Sequence, residues 1–280
     1  MSALRSAYAS ALGVCGLCAA LAAGCGHSSP STASAADAGG KDAIAETPGG
    51  HTARGRVVDL SGAPVFDLYV TVSTEFCIPD RTAADGTFAV RNVGPGGNKR
   101  LILYGPTAKA GPYASLSFAL TGADDADLDL TKPIVTPRLD APLAYRPDVV
   151  EPQRLATADG FAITIRAADL KIEGFGEPKL YAVSIPREKA PPFGPIVDRL
   201  HALYVLEPLQ STLAKPAPIE LPNPQALAVG AKVDIVALDY WKGALVPRAK
   251  GHVRADGKVV SDDGEGITEL TWVGFAPAAP

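Results

Sequence analysis

Between residues 66 and 73 the apolar residues Phe66, Leu68, Val70 and Val72 alternate with Asp67, Tyr69, Thr71 and Ser73. A two-residue period puts successive side chains on opposite faces of an extended chain, whereas the apolar positions of a surface helix recur every three to four residues. This stretch therefore reads as a strand with one face buried. Short runs of the same kind recur at 55–59, 87–93, 100–104 and 115–120, with Ser61-Gly62, Asp85-Gly86 and Gly94-Pro95-Gly96-Gly97 marking the reversals between them. Glycine (28) and proline (25) are spread through the 280 residues without a period, which favours many turns and short strands over long helices. With 47% hydrophobic and 20% charged residues the chain can fill a core.

The pattern continues beyond a proline-punctuated stretch at 132–154. Phe161, Ile163 and Ile165 alternate with Ala162, Thr164 and Arg166, and Tyr181, Val183 and Ile185 repeat the motif. Residues 232–239 are apolar on both faces and suit a central strand, while 252–260 carry the hairpin signal Asp256-Gly257. A last strand is expected over 267–275, with Trp272 sharing a face with Leu270 and belonging to the core. The fold class is all-β, with two small β-sandwich domains, 51–138 and 139–280, the first with a Greek-key signature.

Ahead of these domains the N-terminus carries one cation, Arg5, and then an acid-free run of small and apolar residues over 7–24, the pattern of a secretory signal peptide spanning 1–24. Its length and its many Ala, Gly and Ser residues fit a cleaved signal better than a membrane span, and no other run approaches the ~18 apolar residues that a span needs. Residues 26–50 hold Gly, Ala, Ser, Thr, Pro and scattered charges, with Ile44 the one sizeable apolar side chain. Such a composition stays disordered and makes 25–50 a flexible tether with a reach of roughly 30 Å.

Leu21-Ala22-Ala23-Gly24-Cys25 resembles the lipobox of bacterial lipoproteins, which implies that Cys25 becomes the lipidated first residue of the mature chain, carrying acyl groups such as palmitate. Several acyl chains hold a protein at a membrane far more firmly than one, at roughly 0.8 kcal/mol per buried CH₂. The alternative is an ordinary signal cleaved nearby, with Cys25 incidental. Gly26, rather than Asp, after the cysteine implies through the same resemblance a place at the outer membrane of the cell envelope.

Two further resemblances concern the folded body. G-R-V-V-D-L-S-G-A-P-V from Gly55 and D-G-T-F-A-V-R-N-V from Asp85 resemble the carboxypeptidase regulatory-like, or transthyretin-like, domain over residues 51–125, a family whose domain is usually a non-catalytic accessory module. The segments A-L-Y-V-L-E-P-L from Ala202, P-I-E-L-P-N-P-Q-A-L from Pro218, V-R-A-D-G-K-V-V from Val253 and G-I-T-E-L-T-W-V-G-F from Gly266 resemble the ZU5-like β domains of bacterial surface proteins.

The chemistry is mostly a matter of absent motifs. The net charge of −4 comes without a block of Lys and Arg, which argues against a nucleic-acid partner. None of His27, His51, His201 and His252 begins an H-x-x-E or H-E-x-x-H motif, and no G-x-S-x-G elbow is present. Cys77 is the single cysteine of the folded body, so no disulfide framework forms there, and no motif supplies it with an activating base. Gly94-Pro95-Gly96-Gly97-Asn98-Lys99 lacks the phosphate-loop spacing and reads as a turn. No catalytic residue is assigned.

Two patterns offer ligand sites. Along a strand Asp125, Asp127 and Asp129 of the cluster around Asp124 share one face, where they either hold Ca²⁺, the one cofactor considered, or form a solvated acidic edge that discourages strand pairing. Asp262, Asp263 and Glu265 invite the same pair of readings. Tyr240-Trp241 closes a strand before Gly243, and the pair either stacks on a sugar ring from an exposed loop or caps the sandwich. The expected function is thus a non-catalytic, lipid-anchored envelope protein acting in adhesion, scaffolding or ligand capture, with an envelope protein or polysaccharide as partner. The alternatives are a carbohydrate-binding or Ca²⁺-assisted module and a hydrolase with a dispersed active site.

Overall fold

The computed structural model describes residues 50–74, 77–94, 98–109, 111–122, 126–172 and 179–278. Residues 1–49, which include the expected signal peptide, Cys25 and most of the expected tether, lie outside them. No helix among the described residues is long and apolar enough to cross a membrane. Apart from short 3₁₀ turns, regular structure here is all β.

The first half contains β1 (His51–Val58), β2 (Tyr69–Ser73), β3 (Cys77–Arg81), β4 (Thr87–Val93), β5 (Arg100–Tyr104), β6 (Leu116–Ala119), β7 (Leu128–Asp129) and β8 (Ile134–Val135). One sheet has the order β4-β1-β7, with β8 also on β1, and the other runs β3-β2-β5-β6. β1 is antiparallel to β4 but parallel to both β7 and β8. The Asp85-Gly86 turn is present, with Gly86 at φ 82°, yet it carries the chain from one sheet to the other and does not close a hairpin, since β3 and β4 belong to different sheets.

The founding alternation holds for Leu68, Val70 and Val72, all in the core, and fails at both ends. Phe66 is 41% exposed because Asp67 takes a left-handed φ of 56°, which breaks the register and leaves Val65 to fill the interior. Thr71 and Ser73 are buried as well, so that both faces of β2 are covered; the Thr71 hydroxyl donates to the Ile78 carbonyl at 2.8 Å.

The second half contributes β9 (Gln153–Ala156), β10 (Ala162–Ile165), β11 (Leu170–Lys171), β12 (Tyr181–Ser184), β13 (Ala202–Glu207) and β14 (Thr212–Ala217). β15 (Ile219–Leu221), β16 (Lys232–Asp239), β17 (Ala244–Val253), β18 (Val259–Ser261), β19 (Ile267–Glu269) and β20 (Trp272–Pro277) complete it. A nine-stranded sheet has the order β12-β13-β20-β16-β17-β18-β15-β10-β9, and β11-β14-β19 form a separate three-stranded sheet. The expected strand over 267–275 is broken at Leu270-Thr271, where the chain leaves β14 for the large sheet. That switch separates two residues expected on one face: Trp272 packs in one core and Leu270 in the other.

Alternation within the large sheet explains the two cores. Leu203 and Val205 of β13, Val236 and Leu238 of β16, and Trp272 of β20 point to one side. Tyr204, Leu206, Val233, Ile235, Val273 and Phe275 of the same strands point to the other. Strands buried on both faces are largely apolar, as 235–238 of β16 are. The first of these cores also contains Val70, Leu101, Leu116 and Phe118 from the first half. Segments 51–138 and 139–280 therefore share one interior, within a compact unit covering 47–280.

The halves are joined by a buried carboxylate. Glu207, at the end of β13, accepts hydrogen bonds from the Ser115 backbone N–H and, at 2.6 Å, from that of Leu209. The Ser115 carbonyl in turn accepts from Trp272 Nε1 at 2.8 Å. Burial disfavours the charged carboxylate and pushes its pKa up to about 7, and the two N–H donors that favour the anion offset this only in part. An unfolded glutamate ionises near 4.5, so between those values the native state holds the extra proton and stability falls as pH rises, levelling off above about 7. Urea unfolding is expected to show wild type losing up to about 3 kcal/mol more between pH 5 and pH 8 than Glu207→Gln does; parallel pH profiles for the two proteins would contradict a proton held in this contact.

Candidate functional site

β16 and β17 are paired up to Asp239 and Ala244, which leaves Tyr240, Trp241, Lys242 and Gly243 as the hairpin tip. Gly243 has φ 61°, and a Cβ there would stand 2.3 Å from the Ala119 nitrogen. Its carbonyl accepts from Ala119 N–H at 3.1 Å. The tip is thus seated on β6 by a backbone approach that only glycine permits. The Tyr240 carbonyl adds two further anchors, accepting from Ser117 Oγ at 3.1 Å and from Arg100 Nη1 at 2.8 Å.

Seating divides the aromatic pair. Tyr240 is 4% exposed and caps the interior, whereas Trp241 is 62% exposed. Their rings meet edge to face, with centroids 5.6 Å apart. The Arg100 guanidinium lies 5.0 Å from the Trp241 centroid and 5.5 Å from that of Tyr240, within cation–π range of both. The indole is held by a buried ring and a cation while much of its surface stays in water. Asp239, at the base of the tip, accepts from the Lys242 backbone N–H at 3.0 Å and pairs with Arg248 at 3.0 Å and with the Lys242 ammonium at 3.7 Å. Arg248 is the extra residue of a bulge, since Ile235 faces Ala249 and Val236 faces Pro247; bulges of this kind re-aim a side chain.

The acidic clusters take other forms. Asp125 lies outside the described residues. Asp127 accepts from the Thr52 backbone N–H at 2.8 Å and from Arg54 at 2.7 Å, and these contacts hold its carboxyl below the ordinary range. Asp129 faces the same guanidinium at 3.8 Å. A cation of the protein already sits between the two carboxylates. Asp262 is likewise engaged, by His252 Nδ1 at 2.6 Å and by Lys232 at 3.7 Å, and its carboxyl is lowered chiefly through the His252 contact. With Asp263 and Gly230 these residues line an open cleft of about 350 Å³, whose described lining contains no Ser, Thr or Cys nucleophile. Glu265 accepts from the Lys250 backbone N–H at 3.3 Å. Among the described residues no group of three or more His, Cys, Asp or Glu side chains is placed to hold a metal ion. Cys77 opens β3, half-buried, with Ser73 Oγ 3.8 Å from its sulfur.

Of the residues singled out in the sequence, Asp127 and Asp129 meet on Arg54, and His252 and Asp262 pair beside Asp263; Tyr240 and Trp241 come together at the hairpin tip with opposite parts in it. Arg100, Ser117, Asp239 and Arg248 were not singled out. The one local signal for Arg100 is a cation opening the otherwise apolar run R-L-I-L-Y.

No family model and no curated protein matches the chain. Among solved structures it is similar to a candidate carbohydrate binding protein from Bacteroides uniformis, at 10% identity and a TM-score of 0.22, covering 81% of this chain and 79% of that one. A DUF3823 family protein from Parabacteroides merdae gives 10% identity and a TM-score of 0.23 over 82% and 98% of the two chains. The Bacillus anthracis TIE protein gives 12% and 0.22 over 82% and 49%. The all-β assignment rests on the sheets of this chain.

Gly243→Val is expected to cost about 2 kcal/mol or more, from the left-handed backbone and the clash with β6, and to increase acrylamide quenching of tryptophan emission as the tip lifts. Unchanged stability and quenching would show that the tip is not seated through Gly243.

Proposed function

We propose that this chain is a non-catalytic binding module of the bacterial cell envelope, anchored by lipid at Cys25, that captures a saccharide on the Trp241 ring. One observation carries the reading: a large apolar ring, 62% exposed, is braced by Tyr240 and Arg100 at a hairpin tip tied to a neighbouring strand. A mostly exposed indole adds little to the core, while a ring held in one orientation loses little entropy when a flat apolar partner docks on it. The apolar faces of pyranose rings are such partners.

The anchor follows from the resemblance of residues 21–25 to a lipobox, and the outer membrane from Gly26. The length and composition of the segment after Cys25 suit a tether that presents the folded unit to material above the membrane. The cleft at His252 and Asp262 is a weaker candidate for chemistry, because Asp262 is already paired and its described lining contains no Ser, Thr or Cys.

Trp241→Ala is expected to weaken retention on a binding polysaccharide about tenfold in affinity gels, the loss of roughly 1.4 kcal/mol of stacking, while the melting temperature stays close to that of wild type because the side chain is exposed. Equal retention of wild type and variant would remove Trp241 from the site. Cys25→Ala is expected to shift the protein from the membrane pellet to the soluble fraction on cell fractionation; retention in the pellet would contradict lipid anchoring at Cys25.

A further inference from the structure

The surroundings of Trp241 differ in charge from the rest of the molecule. The whole chain carries a net charge of −4, yet the hairpin tip gathers three cations: Arg100 over the Trp241 ring, and Lys242 and Arg248 on Asp239 at the base of the tip. Asp239 is shared between Lys242 and Arg248. The Arg100 guanidinium is held by the Tyr240 carbonyl and by two ring faces, all of them uncharged. Glu269 lies within electrostatic reach of Arg248 and Asp239, and burial pushes its carboxyl up. Even with Glu269 ionised, the tip keeps a positive surplus.

That surplus is also accessible. The Lys242 side chain is 71% exposed and that of Arg248 46%, whereas Asp239 is mostly covered at 15%. Approaching solutes meet the cations and the indole before the carboxylate. Arginine presents a planar fork that matches carboxylate geometry, and a ligand carboxylate can take the guanidinium N–H groups that Asp239 and Tyr240 leave free.

We infer that the saccharide captured at Trp241 is anionic, a uronate-bearing polysaccharide whose sugar face stacks on the indole while its carboxylate meets Arg248, Lys242 and Arg100. The inference rests on the saccharide reading above and adds the class of sugar. Such a site selects charged polymers by two separable interactions: stacking, which tolerates salt, and ion pairing at an exposed surface, which added salt screens.

The test uses the full-length protein in detergent with polygalacturonate, alginate and hyaluronan, each beside its carboxyl-reduced form. At least one acidic polymer is expected to bind ten times or more tightly than its reduced form in 50 mM NaCl, with the preference shrinking severalfold in 500 mM NaCl. Lys242→Gln and Arg248→Gln should each cut the preference severalfold and leave binding of the reduced form unchanged. Trp241→Ala should weaken both forms together. If acidic and reduced forms bind alike and both depend on Trp241, the anionic class is wrong and the saccharide reading stands. If none of the six polymers binds, both fall. If the preference survives the charge substitutions in proteins that melt like wild type, the cations named here are not its source.

Discussion

Ser115 is the point at which the two halves of the molecule become one. Its N–H is taken by the Glu207 carboxylate, its carbonyl by the Trp272 indole, and its hydroxyl accepts from the Gly105 backbone N–H at 3.3 Å. All of these groups are buried, and none could be left unpaired without a cost of about 1–3 kcal/mol each. The contact therefore specifies how β6 lies against β13 and β20 more sharply than apolar packing would, because hydrophobic surfaces tolerate sliding and directed hydrogen bonds do not. Trp272 does both jobs: its ring fills the shared core against Phe193, with centroids 5.1 Å apart, while its nitrogen holds the neighbouring half.

The position of the hairpin tip follows from that docking. β16 is a central strand with both faces buried, so its far end emerges from the shared core beside β5 and β6. Gly243 then lies against Phe118 and Ala119, and Arg100 and Ser117 reach the Tyr240 carbonyl. A site built on strand ends loses less freedom on binding than one built on a long loop. Arg54 with Asp127 and Asp129, by contrast, makes an exposed pairing whose contribution to stability is small.

The strands were legible because burial of alternate residues is a local property: Leu68, Val70 and Val72, or the doubly buried run 233–238, carry their environment in their own spacing. The turns at Gly86 and Gly257 were legible for a similar reason, since φ values of 82° and 81° select glycine. What spacing could not convey is partnership at long range. Glu207 meets a backbone group 92 residues away, and Arg100 reaches a carbonyl 140 residues away. Read alone, Glu207 is an acid before a proline and Arg100 a charge at a strand end. The break at Leu270-Thr271 was hidden for another reason, because a strand that changes sheets keeps its β composition while its faces exchange neighbours. The separation of Tyr240 from Trp241 was equally hidden, as only the surface of the other half decides which ring is covered.

One indole and a few exposed cations bind a single sugar unit weakly. Stacking of about 1 kcal/mol and surface ion pairs of less than that, set against the cost of association, leave a single site with a dissociation constant of about a millimolar at best. The proposed arrangement makes such weakness sufficient. Lipid anchors would confine many copies to one membrane plane, and the tether would let each tip search a radius of roughly 30 Å. A polymer that repeats the same charged unit then engages several tips at once, each later contact being intramolecular with an effective concentration that itself reaches millimolar values. Affinity for the polymer thus comes from the number of tips engaged, and each separate contact can still be released quickly, which suits a protein that holds a chain at a surface without enclosing it.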